Sequence, residues 1–300
     1  MGRNRDRCTL WLGILLALAL QAAPVFAGDV LYEKASDYGT VVITDEGNNM
    51  RALRFGRNGV RQSLVKLDDP EYLGLSYIPV ALAGLALSTE PRRFLIIGLG
   101  GGTLPAFLRR HYPDAEIDAV DINPEVAYAA TNYLGFREDE RMRIHIADGR
   151  KFVEGVQQPY DVIFLDAFGA DAVPAHLTTK EFLDAVRRAV RSDGVVVSNI
   201  WFTATNPPYD SMMHTYRETF GGLDVLRVAG TGNRILFALP RNQPLGRAEL
   251  AGLAQNLAAA KNFRFNAGTL VDRGWIPLDN ASFGGKLLTD SNTTANTGKQ

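Results

Sequence analysis

The amino-acid sequence predicts an α/β protein, a doubly wound and mostly parallel sheet preceded by a small antiparallel β unit. Three observations carry this. Between about residues 94 and 240, short apolar runs alternate with segments of helical periodicity, the pattern of a parallel sheet covered on both faces. The first run, Phe94-Leu95-Ile96-Ile97, opens into the glycine-rich turn Gly98-Leu99-Gly100-Gly101-Gly102. The later runs end at or just before Asp121, Asp148 and Asp166, where ligands bind in open α/β sheets.

The elements follow in order. Arg3, Arg5 and Arg7 precede an apolar run over 10–20, and Val25-Phe26-Ala27 offers small residues for cleavage. Residues 1–27 therefore read as a secretory signal peptide cut after Ala27, directing the product to the periplasm or the exterior. An uncleaved anchor is the alternative, but the run is short of the roughly 20 residues a span needs. Cys8, the sole cysteine, lies in this segment, so the processed chain carries no thiol chemistry.

Residues 28–69 read as the β unit, with strands over 30–32, 40–44, 50–55 and 62–65. Turn signals containing Gly39, Gly47-Asn48-Asn49 and Gly56-Arg57-Asn58-Gly59 separate them. The main domain spans 70–240. It opens with a helix over 70–87, which Pro79 would kink or divide. Strands over 94–97, 116–120, 142–146, 161–165 and 194–199 then alternate with helices over 103–111, 124–133, 180–190 and 211–220. Strands over 224–228 and 234–239 close the sheet. Residues 241–290 form a helical extension, centred on an Ala/Leu-rich helix over 247–261. The polar tail 291–300 is expected to be disordered.

Composition narrows the function. The 300 residues are 46% hydrophobic with a net charge of −1, so no basic footprint argues for nucleic acid. Arg187, Arg188 and Arg191 read as the wet face of a helix. His111, His145, His176 and His214 show no metal-ligand spacing and read as structural or solvated; no metal is expected.

The strand ends carry the chemistry. A glycine turn lets backbone approach a ligand, and the helix after it offers free N–H groups. Asp121, about 20 residues on, suits two ribose hydroxyls. Asp148 is placed to accept from an adenine amino group. Asp166 ends the next strand. Any one of these aspartates could instead cap a helix; the set of three beside the glycine turn favours a ligand. Asp161, at a strand start, is read as structural.

From Val30 to Leu239 the chain resembles the spermidine synthase (polyamine aminopropyltransferase) family, in particular a divergent branch often fused to membrane transporters. The matching residues are Ser36-x-Tyr38-Gly39, Gln62-Ser63, Gly98 to Thr103, Val120-Asp121-Ile122-Asn123-Pro124, Asp148-Gly149-Arg150, Tyr160 to Asp166, and Pro174-x-His176-Leu177-Thr178-Thr179-x-Glu181-Phe182.

The resemblance implies a Rossmann-like, seven-stranded domain of the methyltransferase type partly covered by the β unit. It implies decarboxylated S-adenosylmethionine as co-substrate, an amine such as putrescine as acceptor, and a homodimer. Membrane contact would come only through the signal segment. Asp166 matches the family's catalytic aspartate. Gly98, Gly100, Gly101, Gly102, Asp121, Ile122, Asp148 and Gly149 would hold the adenosyl group. Gln62 and Tyr77 would contact the acceptor with Asp166. Two carboxylates of the family pattern are missing. Gly101 stands where an Asp usually contacts the donor's amine, and Asp166-Ala167-Phe168-Gly169-Ala170 lacks the second acidic residue, for which Asp171 is the available substitute. Intact S-adenosylmethionine with methyl transfer, or a non-catalytic exported nucleoside- or polyamine-binding protein, are therefore the other readings.

Overall fold

A computed structural model describes residues 28–169, 173–202, 209–242, 245–278 and 284–293. The expected signal segment, Asp171 and residues 294–300 lie outside them.

Strands β1 (Val30–Ser36), β2 (Gly39–Gly47), β3 (Met50–Phe55) and β4 (Arg61–Lys66) form an antiparallel meander in that order. Its inner face carries Val41, Ile43, Leu53 and Val65 into the main hydrophobic core. Apolar burial of this kind is the dominant favourable term in folding. The meander is tied to the helix that follows β6 by the Tyr32 hydroxyl on Glu125 and by Arg51 on the Tyr133 carbonyl at 2.6 Å.

The expected helix over 70–87 is shorter than the pattern suggested. Residues 70–76 are turns, a bend and irregular backbone, α1 spans Tyr77–Leu82, and a 3₁₀ stretch follows over Ala83–Leu87. Pro79 is the reason. A proline fits a helix only within its first turn, because it lacks an N–H and its ring crowds the carbonyl four residues back. α1 accordingly starts two residues before it, which leaves Tyr77 at the helix's first position.

The remaining elements are β5 (Arg93–Ile97), α2 (Thr103–His111), β6 (Glu116–Asp121), α3 (Pro124–Tyr133), β7 (Met142–Ile146), α4 (Gly149–Glu154), β8 (Tyr160–Leu165), α5 (Lys180–Ala189), β9 (Val190–Trp201), α6 (Tyr209–Thr219), β10 (Gly222–Arg227), β11 (Asn233–Leu239), α7 (Arg247–Ala260), α8 (Ala267–Gly274), β12 (Trp275–Ile276) and α9 (Asp290–Thr293). The sheet runs β12-β10-β11-β9-β8-β5-β6-β7. Strands β5 to β9 are parallel, whereas β10, β11 and β12 pair antiparallel.

Without β12 this is the seven-stranded methyltransferase-type sheet. The eighth strand is the two-residue edge β12, contributed by the extension that was expected to be only helical. The polar tail also begins in structure, since Asp290 to Thr293 make one helical turn that Arg150 anchors through Asp290 at 2.6 and 2.7 Å. Asp161 is structural, accepting from the backbone N–H groups of Arg92 and Arg93 at 2.8 Å each. Arg187 and Arg188 are exposed on α5. Among the described residues no helix is long and apolar enough to cross a membrane.

Candidate active site

Sheet register places the site. Ile97 pairs with Val120 on one side and Leu165 on the other, and Leu165 pairs with Ser198. The residues one step beyond form a row across the carboxyl ends of the strands: Asp121, Gly98, Asp166, Asn199. The chain moves from β5 outward to β7, then crosses back to β8. The row thus sits at the switch point where doubly wound sheets bind ligands. A cavity of about 750 Å³ opens over it.

The glycine loop brings backbone to one end of the row. Gly98 has φ +103°, and a Cβ there would collide with the carbonyl of Asp166. Only glycine tolerates both constraints. Gly102 has φ +75° as the N-cap of α2, and its Cα faces Phe136.

Asp121 shapes the loop from beneath. Its carboxylate accepts from the N–H of Leu99 at 3.0 Å and of Asn123 at 2.9 Å. Burial raises its pKa above the ordinary carboxylate value, opposed by hydrogen bonds from Asn123, Leu99 and Gly100. Asp148 is a helix cap at the cavity wall. It caps α4 through the Lys151 N–H at 2.9 Å and lines the cavity, where its other oxygen accepts from His176 Nε2 at 3.0 Å.

Two polar atoms of residues at this end are buried without a partner among the described residues: Asn123 Nδ2 and Thr103 Oγ1. Both residues line the cavity. A buried unpaired donor costs about 1–3 kcal/mol.

At the other end the groups are side chains from separate elements. Asp166 accepts from the Tyr77 hydroxyl at 2.6 Å on Oδ2 and from Asn199 Nδ2 at 2.9 Å on Oδ1. Burial pushes its pKa up to about 6, and the bonds from Tyr77 and Asn199 hold it from rising further. The Tyr77 hydroxyl is shifted well above its usual range by burial and by the Asp166 charge. Tyr77 is therefore the donor of this pair. Phe168 and Trp201 wall this end, their rings 5.7 Å apart.

Of the residues expected from sequence, Gly98, Gly100, Asp121, Ile122, Asp148, Gly149, Gln62, Tyr77 and Asp166 all line the cavity. Gly101 and Gly102 are not among its lining residues. The Gly101 N–H is spent on Ser63 Oγ at 2.7 Å. A Cβ at Gly101 would stand 2.9 Å from Ser63 Cβ and 3.2 Å from Leu134 Cδ1, so the space an aspartate would use belongs to β4. Sequence reasoning missed Asn199, Trp201, Asn233 and the place of His176. Asn199 had a readable signal as a polar residue closing the apolar run Val195-Val196-Val197 at a strand's carboxyl end.

Comparison with known proteins shows the family. The Spermine/spermidine synthase domain model matches residues 80–209. A polyamine aminopropyltransferase of Vibrio vulnificus is 34% identical over 253 residues, covering 82% of this chain and 83% of that protein. The chain belongs to the spermine/spermidine synthase family. Family membership makes it a transferase by class. The mouse eEF1A lysine and N-terminal methyltransferase is also similar, at 35% identity across 63% of this chain but only 30% of its own length. The solved structure of human Methyltransferase-like protein 13 in complex with SAH superposes with a TM-score of 0.58 at 32% identity, covering 63% of this chain and 93% of the other.

Proposed function

We propose that this protein transfers the aminopropyl group of decarboxylated S-adenosylmethionine to the primary amine of a small polyamine-type acceptor such as putrescine, with Asp166 as general base. The observation that carries the proposal is the buried carboxylate of Asp166, oriented by Tyr77 and Asn199 and poised near pH 6. An ammonium cannot attack carbon. Asp166 takes its proton, the freed amine nitrogen bonds to the methylene carbon next to the sulfonium, and the carbon–sulfur bond breaks. Methylthioadenosine leaves with the electron pair on its now neutral sulfur.

Asp121 holds the ribose hydroxyls, Ile122 and Gly149 flank the adenine, and Asp148 accepts from its amino group. Gln62 contacts the acceptor.

Methyl transfer from intact S-adenosylmethionine is the second reading. It is favoured by Gly101, which has no side chain for the donor's amine, and by the similarity to the eEF1A methyltransferase. A donor-by-acceptor turnover screen separates the two. Methylthioadenosine release with decarboxylated donor and a polyamine supports the first, and methylation of the amine supports the second. Absence of any turnover alongside tight adenosyl binding would leave a binding protein. We further propose export through residues 1–27 and a homodimeric assembly. A reporter fused after Gly28 that stays in the cytosol would refute export, and sedimentation at the monomer mass would refute the dimer.

A further inference from the structure

Two amides, Asn199 and behind it Asn233, are joined in series to the base. Trp201 pairs with Asn233 and Asn199 with Ile235 across the antiparallel β9–β11 pair. Asn199 and Asn233 are therefore diagonal neighbours on one face, within reach of each other's side chains. Asn233 Nδ2 donates to Asn199 Oδ1 at 2.8 Å, and Asn199 Nδ2 donates to Asp166 Oδ1 at 2.9 Å.

An amide side chain has one accepting end and one donating end. With its oxygen engaged by Asn233, Asn199 has only its N–H end left for Asp166. Flipping Asn199 alone would face oxygen to carboxylate oxygen, and NH₂ to the NH₂ of Asn233. We infer that Asn233 is a positioning residue for the general base, acting through Asn199 by locking that amide in the orientation that donates to Asp166. The lock keeps the carboxylate ionised and fixed in aim, ready to take a proton from an ammonium.

The other groups around Asp166 do not supply this. Tyr77, from α1, donates to the opposite oxygen at 2.6 Å. Asp121, Asp148, His176 and Arg61 line the same cavity, but none bonds Asp166. Asp121 is held by backbone N–H groups, Asp148 and His176 hold each other, and Arg61 pairs with Glu46. The lock is a property of the protein alone. Only its consequence for rate rests on the aminopropyl-transfer reading.

The test is a carboxyl-¹³C NMR titration of the full chain labelled in aspartate, with the Asp166 signal assigned by its loss in Asp166→Asn. Asn199→Ala should raise the Asp166 midpoint by about one pH unit, a tenfold change in proton affinity. Asn233→Ala should raise it by about half a unit, on the order of threefold in the same affinity. The double variant should match Asn199→Ala alone, because Asn233 has no route except through Asn199. Asn233→Leu, which fills the volume and donates nothing, gives the same shift and serves where the alanine variant fails to fold.

An unmoved midpoint in both Asn233 variants, or a double shift equal to the sum of the singles, would overturn the proposal. With turnover, the acid limb of kcat/KM should move by the same amounts. If no amine is ever turned over, the proposed function fails while the NMR midpoints still decide the lock.

Discussion

Asp121 and Asp166 stand on either side of Gly98 in one row of the sheet, yet they are held by different means. Asp121 is fixed by backbone N–H groups of Leu99, Gly100 and Asn123, all within 23 positions of it along the chain. Asp166 is fixed by side chains of Tyr77 and Asn199, 89 and 33 residues away. A carboxylate set by backbone keeps its place whatever the neighbouring side chains become. One set by side chains can be tuned in position and in proton affinity by single substitutions. The first arrangement suits a nucleoside end common to many chemistries, and the second suits an end that must choose an acceptor and move a proton.

That contrast can be broken in a graded way. Asp166→Asn should have the largest effect, lowering methylthioadenosine release by about 10²–10⁴-fold, the usual contribution of a general base. Calorimetric affinity for methylthioadenosine should stay within a few-fold of wild type. Loss of that affinity would mean the two ends are not separable. Asp121→Ala should do the reverse, weakening adenosyl binding by about 10–100-fold through lost charge-assisted hydrogen bonds. It also leaves the Leu99 and Asn123 N–H groups without their acceptor.

Gly98→Ala should injure both ends at once, since it strains the loop by about 1–3 kcal/mol and pushes on the Asp166 backbone. A lowered melting temperature together with loss of binding and turnover is the expected result. Unchanged values would show that the loop has slack the structure does not suggest.

Tyr77→Phe should be the mildest of the series. Removing one donor to the carboxylate raises the Asp166 pKa, so activity falls at pH 6 and changes little at pH 8. A loss that is uniform across pH would make Tyr77 an acceptor contact instead of a partner of the base.

The same contrast explains what the sequence made legible. The alternation from β5 to β11, the meander of β1 to β4 and the glycine loop rest on local patterns of apolar spacing and turn residues, and they were readable. So was Asp121, because the loop and the acid lie on consecutive strands. The Tyr77–Asp166–Asn199–Asn233 chain depends on β9 lying between β8 and β11 and on where α1 begins, and neither is a local property. Helix α1 was overextended to residue 70 because apolar periodicity continued through 70–76, where Gly74 packs closely on Leu64. Edge strand β12 is too short to leave a pattern of its own. The bond from the Gly101 N–H to Ser63 is not local either, since it reaches a strand 38 residues earlier.

The central claim is that Asp166 removes a proton from an amine bound beside an adenosyl sulfonium. The most direct measurement is the pH profile of methylthioadenosine release, as kcat/KM for the amine, in wild type and Asp166→Asn. The base must be ionised to act, so the wild-type rate should rise tenfold per pH unit up to about pH 6, the value to which burial brings Asp166, and that inflection should bend the profile above it. In Asp166→Asn the inflection should vanish along with most of the rate. An inflection near pH 6 that persists in Asp166→Asn, or a rate that survives the substitution, would contradict the account.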